Sequence, residues 1–210
     1  ASLAAALPGA TELELAFAGG SFSAGTSNTA LAHIGDGGAS RENGSIKPVP
    51  LAYHAKTIEF HDKPRHCMTI PWGDVSTAYR STGIENIRVY TAASKKLVKR
   101  MKLVRYAVPL LRTGLVQKLL SKLIESKVSG PSAEERSTGK TQFWGRVRKP
   151  DGTSATATIT AFDGYALTAA CAVEAVLRID SVSPGFQTPS LAFGADFITS
   201  FPNCTLRMGG

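Results

Sequence analysis

The stretch TQFWGRVRKPDGTSATATIT, residues 141–160, constrains this chain more than any other part of its sequence. Apolar and polar residues alternate through "TQFWGRVRK", the turn signal "PDGT" follows, and "SATATIT" alternates again. Period two on both sides of a tight turn predicts an antiparallel hairpin, and a lone hairpin is marginal in water. The rest of the chain must therefore add strands or a covering layer, and it offers both. "TELELAF" (11–17) alternates as a half-buried strand, and "ENGS" places Asn43-Gly44 where a type I′ turn needs positive φ. "KTIEF" and "HCMTI" flank the turn "HDKP", predicting another hairpin, and "ENIRVYTA" returns as a strand with Ile87 and Val89 on one face.

Between these runs the period changes. "ASLAAALPGA" reads as a helix tail and a turn, which suggests a piece of a longer protein with its N-terminal part missing. "SNTALAHIG" predicts a short helix capped by Ser27, with Gly35 near its end. "PWGDVSTAYRSTG" (71–83) holds another, with Asp74 as N-cap and Gly83 as stop. Leu97, Met101, Val104, Val108 and Leu111 form a helical stripe that Pro109 should kink or end. After Thr113-Gly114, Leu115, Leu119, Leu120, Leu123 and Ile124 give a second helix its apolar face, and Ser132 with Glu135 offers a capping box. "YALTAACAVEAVLRI" (165–179) is so apolar that it predicts a deeply buried helix. Thr188 caps a last helix with Pro189 at its first position, and the closing "RMGG" matches no packed element. About seven mostly hairpin-linked strands and five or six helices predict an α+β fold, an antiparallel or mixed sheet covered by helices, in one domain of 1–210.

Charge is distributed unevenly. Residues 95–127 carry ten Lys or Arg against the single acid Glu125, a surplus larger than the whole chain's net charge of +8. Such a basic helical pair is either a solvated face packed on the core or a peripheral contact with an anionic membrane or an acidic partner. Nucleic acid is disfavoured, because no aromatics interleave with the charges to stack bases. No apolar run reaches the roughly 20 residues that span a bilayer. Cys67, Cys171 and Cys204 form no metal spacing and no even set for disulfides, which with the lack of a secretory leader points to the cytoplasm, with membrane association left open.

Several motifs invite a function and fail. "STGKT" (137–141) lacks a P-loop's first glycine, because Glu134 stands there and backbone amides need glycine to close around phosphate. No G-x-G-x-x-G follows a strand, so a nicotinamide site would lie mostly elsewhere. His54, His61, His66 and Cys67 match no established ligand pattern, and no metal is expected. Two segments survive, "PWGDVSTAYRSTG" and "GFQTPS", each with polar side chains and glycine at a loop-to-helix junction. Trp72 and Tyr79 read as an apolar wall with polar handles, and helix N-termini suit anionic or carbonyl oxygens. The plainer alternative is that Asp74 and Thr188 only cap helices and Trp72 is core.

The ordered segments "LPGATELELAF", "PWGDVSTAYRSTGIENIRVY", "GPSAEER", "DGYALTA" and "SPGFQTPSLAFGADFI" together resemble the C-terminal part of saccharopine dehydrogenase-like oxidoreductases. The bacterial subgroup with trans-acting enoyl reductases of lipid synthesis is the one resembled, over about 7–198. The resemblance implies a substrate-binding and dimerisation domain that works with an N-terminal Rossmann domain absent from this sequence, NAD or NADP being bound mainly by that domain. It implies a homodimer and an unsaturated, keto or imine substrate, small or lipid- or thioester-linked. Trp72 and Tyr79 would shape the pocket, Asp74, Thr77, Gln187 and Thr188 would fix polar substrate groups, and Tyr79 would be the proton donor by its chemistry. The competing reading is a non-catalytic interaction module that meets anionic membrane or a partner through 95–127.

Overall fold

The structure, a computed structural model, describes residues 1–20, 22–111, 113–127, 132, 134 and 138–209. The chain opens with α1 (Ser2–Ala6), β1 (Glu12–Ala18) and α2 (Ala24–His33). Two hairpins follow, β2 (Gly38–Glu42) with β3 (Ser45–Val49) and β4 (Ala55–Glu59) with β5 (Pro64–Thr69). Next come α3 (Asp74–Thr82), β6 (Asn86–Ala92), α4 (Lys95–Val104), a 3-10 turn, α5 (Val108–Leu111) and α6 (Gly114–Lys127). The long hairpin β7 (Lys140–Arg148) and β8 (Ser154–Phe162) leads to α7 (Gly164–Leu177), α8 (Pro189–Phe193) and β9 (Thr205–Gly209).

All three predicted hairpins form. Asn43 and Gly44 both take positive φ, and β7 pairs β8 from Lys140↔Phe162 to Arg148↔Ser154. The sheet runs β3-β2-β6-β1-β7-β8-β9. One edge of β6 is shared, β2 pairing near its start at Ile87 and β5 near its end at Tyr90–Ala92. Among the described residues only β1 and β6 pair in parallel; every other pairing is antiparallel. The architecture is the predicted α+β with a mixed sheet, of nine strands among the described residues rather than about seven. One of the nine, β9, is the closing segment that carries no strand pattern of its own; it is an edge strand recruited by β8 through backbone hydrogen bonds.

Each sheet face has its own cover. Leu13, Ile87, Val89 and Val147 point to the face packed by α1 and α3, with Leu3, Val75 and Ile84. Ala16, Ala18, Tyr90 and Trp144 point to the other, where the β4–β5 hairpin folds over with Ile58, Phe60 and Cys67. Gly145 lets α1 sit close, since a Cβ there would lie 2.6 Å from Leu3 Cδ1. Gly19 turns the chain off β1 with φ +124°, where a Cβ would come within 2.3 Å of the Lys140 carbonyl oxygen.

Local expectations needed four corrections. Ser23, not Ser27, caps α2, its Oγ accepting from Thr26 N at 3.1 Å, because the helix starts four residues earlier than predicted. Asp74 is the first helical residue of α3 and Gly73 the cap, so the carboxylate has no capping hydrogen bond. Val98 rather than Leu97 is the buried residue of α4, so the stripe is rotated by one position. The largest correction concerns α7. Only Leu167 of that helix is buried, while Val173, Val176 and Leu177 are exposed, Leu177 at 74%. Its hydropathy fits a buried helix, but no second layer packs on its outer side among the described residues. Glu135, and with it the expected capping box, falls outside the described residues, as do the side chains of Leu115, Leu123 and Ile124.

Candidate functional site

Beside the α1/α3 face lies a hollow of roughly 540 Å³. Its floor is apolar: Leu13 and Leu15 from β1, Phe143 from β7, Ala157 and Ile159 from β8, and Leu206 from β9. One wall is α3, presenting Asp74, Thr77, Ala78, Ser81 and Thr82, and the opposite lip is Phe186 to Ser190 ahead of and into α8. The volume suits a small organic group or part of a chain rather than a macromolecule.

Helical geometry explains which α3 residues face the hollow. Positions 74, 77, 78 and 81 recur at three and four, so they share one face. Val75 and Tyr79 lie on another and pack into the sheet core. Four of the six residues singled out in the sequence, Asp74, Thr77, Gln187 and Thr188, therefore line one hollow, brought together across more than a hundred positions of sequence. Trp72 and Tyr79 do not. Trp72 stacks on Phe17 with ring centroids 5.0 Å apart, half-exposed beyond the hollow. Tyr79 lies beneath the Arg41 guanidinium, 4.3 Å from its ring centre, and Arg41 is itself buried with Nε donating to the Val75 carbonyl at 3.0 Å. The phenol is thereby committed to packing.

The polar edge is partly prearranged. Thr188 is buried as the N-cap of α8, yet its side chain makes no capping bond. Its Oγ1 instead meets Ser81 Oγ at 2.7 Å and Ser190 Oγ at 3.3 Å. This hydroxyl chain ties α3 to the α8 lip. Gln187 Nε2 donates to the Ser183 carbonyl at 2.8 Å, which holds the amide in place. Thr77 Oγ1 donates weakly back to the Gly73 carbonyl at 3.3 Å. Ser81 and Ser190 were missed in the sequence, although Ser81 sits seven residues after Asp74 and four after Thr77, the spacing of a shared helix face.

Asp74 is the group with chemistry. Burial pushes its carboxyl above the ordinary carboxylate value, its own backbone amide pulling weakly the other way. Among the described residues no Lys or Arg side chain lines the hollow. A carboxyl so placed keeps its proton to a higher pH than an exposed one and, when protonated, can donate an O–H to a bound oxygen.

A second set of ionisable groups sits on the opposite sheet face and was missed entirely. Glu14 is only 7% exposed. Its Oε2 accepts from Lys56 Nζ at 2.6 Å and from Arg146 Nη2 at 2.6 Å and Nε at 3.0 Å, while its Oε1 accepts from Tyr90 Oη at 3.0 Å. Burial raises the carboxyl, but the two cations outweigh it and hold Glu14 below its ordinary value. Burial pulls the Lys56 ammonium down against Glu14's attraction, since one carboxylate serves two cations. Burial and Glu14 together push the Tyr90 phenol well up. Both oxygens of this carboxylate accept hydrogen bonds, so the cluster is a structural clasp between β1, β4, β6 and β7.

The hollow does not fit a dinucleotide. A pyrophosphate needs a glycine-rich strand-to-helix turn or cations, and the lining offers Asp74 instead.

Among solved structures, the chain is similar to apo histidine-tagged saccharopine dehydrogenase (L-Glu forming) from Saccharomyces cerevisiae, with a TM-score of 0.52 and 12% sequence identity. The similarity covers 96% of this chain and 67% of that one. At such identity the shared property is the fold. No protein-family model and no curated protein sequence matches the chain.

Proposed function

We propose that this chain is the substrate-binding and oligomerisation domain of a saccharopine dehydrogenase-like, NAD(P)-dependent oxidoreductase of the enoyl reductase-like kind. Its substrate is an unsaturated, keto or imine compound carried on an apolar or thioester-linked chain. The observation that supports this most is the hollow: an apolar floor with Asp74 and a fixed row of hydroxyls at one edge only. A substrate carrying several carboxylates calls for converging Arg or Lys side chains, and the lining has none. Hydride chemistry belongs to a dinucleotide held by another domain, because the residues here do not fit one. What these residues do is hold an acyl group on the floor, orient its polar end on Gln187, Thr188 and Ser81, and keep a proton on Asp74. Asp74 thus takes the donor role first assigned to Tyr79.

Titration calorimetry with 2-enoyl thioesters of increasing chain length tests the reading. Each added methylene should tighten binding by about fourfold until the floor is filled, and Ala78→Phe should abolish binding while circular dichroism stays unchanged. Preference for a dicarboxylic amino acid over the acyl series would sink the assignment.

The exposed apolar face of α7 supports self-association. Val173, Val176 and Leu177 follow helical spacing, and the lone acid of the helix, Glu174, is already paired with Arg178 at 2.6 Å. An isologous contact would bury both copies of this uncharged face at once. Light scattering should give a dimer for the native chain and a monomer for Val173→Asp/Leu177→Asp; an unchanged mass in the double variant would place the contact elsewhere.

A further inference from the structure

The helix α4 and the turn after it carry a surface that the proposed oxidoreductase role does not use. Val98 is its buried anchor, with Met101 and Val104 half-buried beside it. On the outer side stand Lys95, Lys96, Lys99, Arg100 and Lys102, all exposed, and among the described residues none of the five has an ion-pair partner. No acid occurs between Glu85 and Glu125 in the sequence, so nothing nearby along the chain neutralises them.

A purely solvated basic face would carry only polar side chains, and this one does not. Leu103 lies 71% exposed and Tyr106 73% exposed. Leu103 follows Arg100 by three positions, Lys99 by four and Lys96 by seven, which centres it in the arc of cations. Arg105 Nη2 donates to Tyr106 Oη at 2.8 Å and its guanidinium sits 4.9 Å from the ring centre, fixing the ring outward. An apolar side chain ringed by cations, next to an aromatic with a polar tip, matches the water–hydrocarbon boundary of a bilayer. Leu103 enters the acyl region, Tyr106 sits at headgroup depth, and the lysine stems lie along the surface with their ammonium groups on lipid phosphates.

We propose that α4 with Tyr106 docks the protein on an anionic membrane surface, lying in the plane of the headgroups. Charge complementarity selects the occupant, because five unpaired cations meet a negative leaflet. The inference stands apart from the hollow, so either assignment can fail without the other. No helix among the described residues is long and apolar enough to cross a membrane, which makes the contact peripheral.

Co-sedimentation of the full chain with vesicles tests it. Vesicles of phosphatidylcholine with about 30 mol % phosphatidylserine should pellet the protein at about 0.1 M salt and release it at about 0.5 M, and pure phosphatidylcholine should not pellet it. Lys96→Gln/Lys99→Gln/Arg100→Gln should weaken binding roughly 100-fold, about fivefold per cation. Leu103→Asp should weaken it at least about tenfold without removing a cation. All four positions are exposed, so circular dichroism should be unchanged in both variants. Failure to pellet on anionic vesicles, equal binding by either variant, or tighter binding to a DNA duplex at the same salt would each overturn the proposal.

Discussion

Glu14→Gln is expected to remove about 3 kcal/mol of folding stability, the largest single loss at any polar position in the sheet. The substitution keeps the side chain's size and removes its charge. Lys56 and Arg146 then share no counter-ion over the rings of Tyr90 and Trp144, and Tyr90 Oη faces an amide instead of a carboxylate. Arg146 is partly open to water, which is why the loss is set at the low end of the range for broken buried pairs. Urea unfolding should show a lower midpoint with unchanged slope, and the melting temperature should fall by roughly 10 °C. The pH dependence gives an independent check. Glu14's folded value lies below its ordinary 4.5, so its contribution is complete above that value and is lost as pH falls through the folded one. The native protein should therefore lose stability on acidification below about pH 4.5 more steeply than the variant. A difference of under about 0.5 kcal/mol at neutral pH would mean that the clasp is too solvated to matter.

Asp74→Asn is expected to act in the opposite direction on stability and, under the proposed function, to lower turnover. The carboxyl is raised by burial, and among the described residues no Lys or Arg lines the hollow, so folding favours its protonated form more than the unfolded chain does. Its favourable contribution is present below the ordinary carboxylate value and is lost as pH rises through the folded one. At neutral pH the ionised group is a burden, and asparagine lifts it; the variant should melt slightly higher than the native chain at neutral pH. If Asp74 supplies the proton, the same change should lower turnover about 10²- to 10⁴-fold once the chain is joined to the dinucleotide-binding domain that the proposed function calls for. A rise in stability paired with a fall in rate marks a functional acid, whereas a merely structural residue would lose stability. Unchanged turnover would remove Asp74 from the chemistry and leave the hollow as a binding site alone. The two carboxylates make a matched pair: cations hold one below its ordinary value, and burial pushes the other above it.

What the sequence alone determined here is local. Asn43-Gly44, "HDKP" and "PDGT" each specify a hairpin, because turn geometry and strand alternation are set within a few residues. Gly83 stops α3 in the left-handed region for the same reason. Asp74, Thr77, Gln187 and Thr188 stood out as polar groups at helix starts, but nothing in their spacing said that they would meet.

The tertiary structure decided which face of each element is covered, and by what. In "TELELAF" alternation separates leucine from glutamate and suggests that the glutamates face water. The β4–β5 hairpin instead folds across that face, burying Glu14 and bringing Lys56 to it. On α3 the 3.6-residue period separates Tyr79 from Asp74, yet only distant parts of the chain, the sheet core and Arg41, make the tyrosine side the closed one. In α7 a sequence apolar enough for a core remains at the surface because no layer among the described residues packs over it. Periodicity fixes how side chains are divided within one element, since that depends on the backbone repeat; the partner of each division depends on contacts between residues far apart in the chain, which no local pattern records.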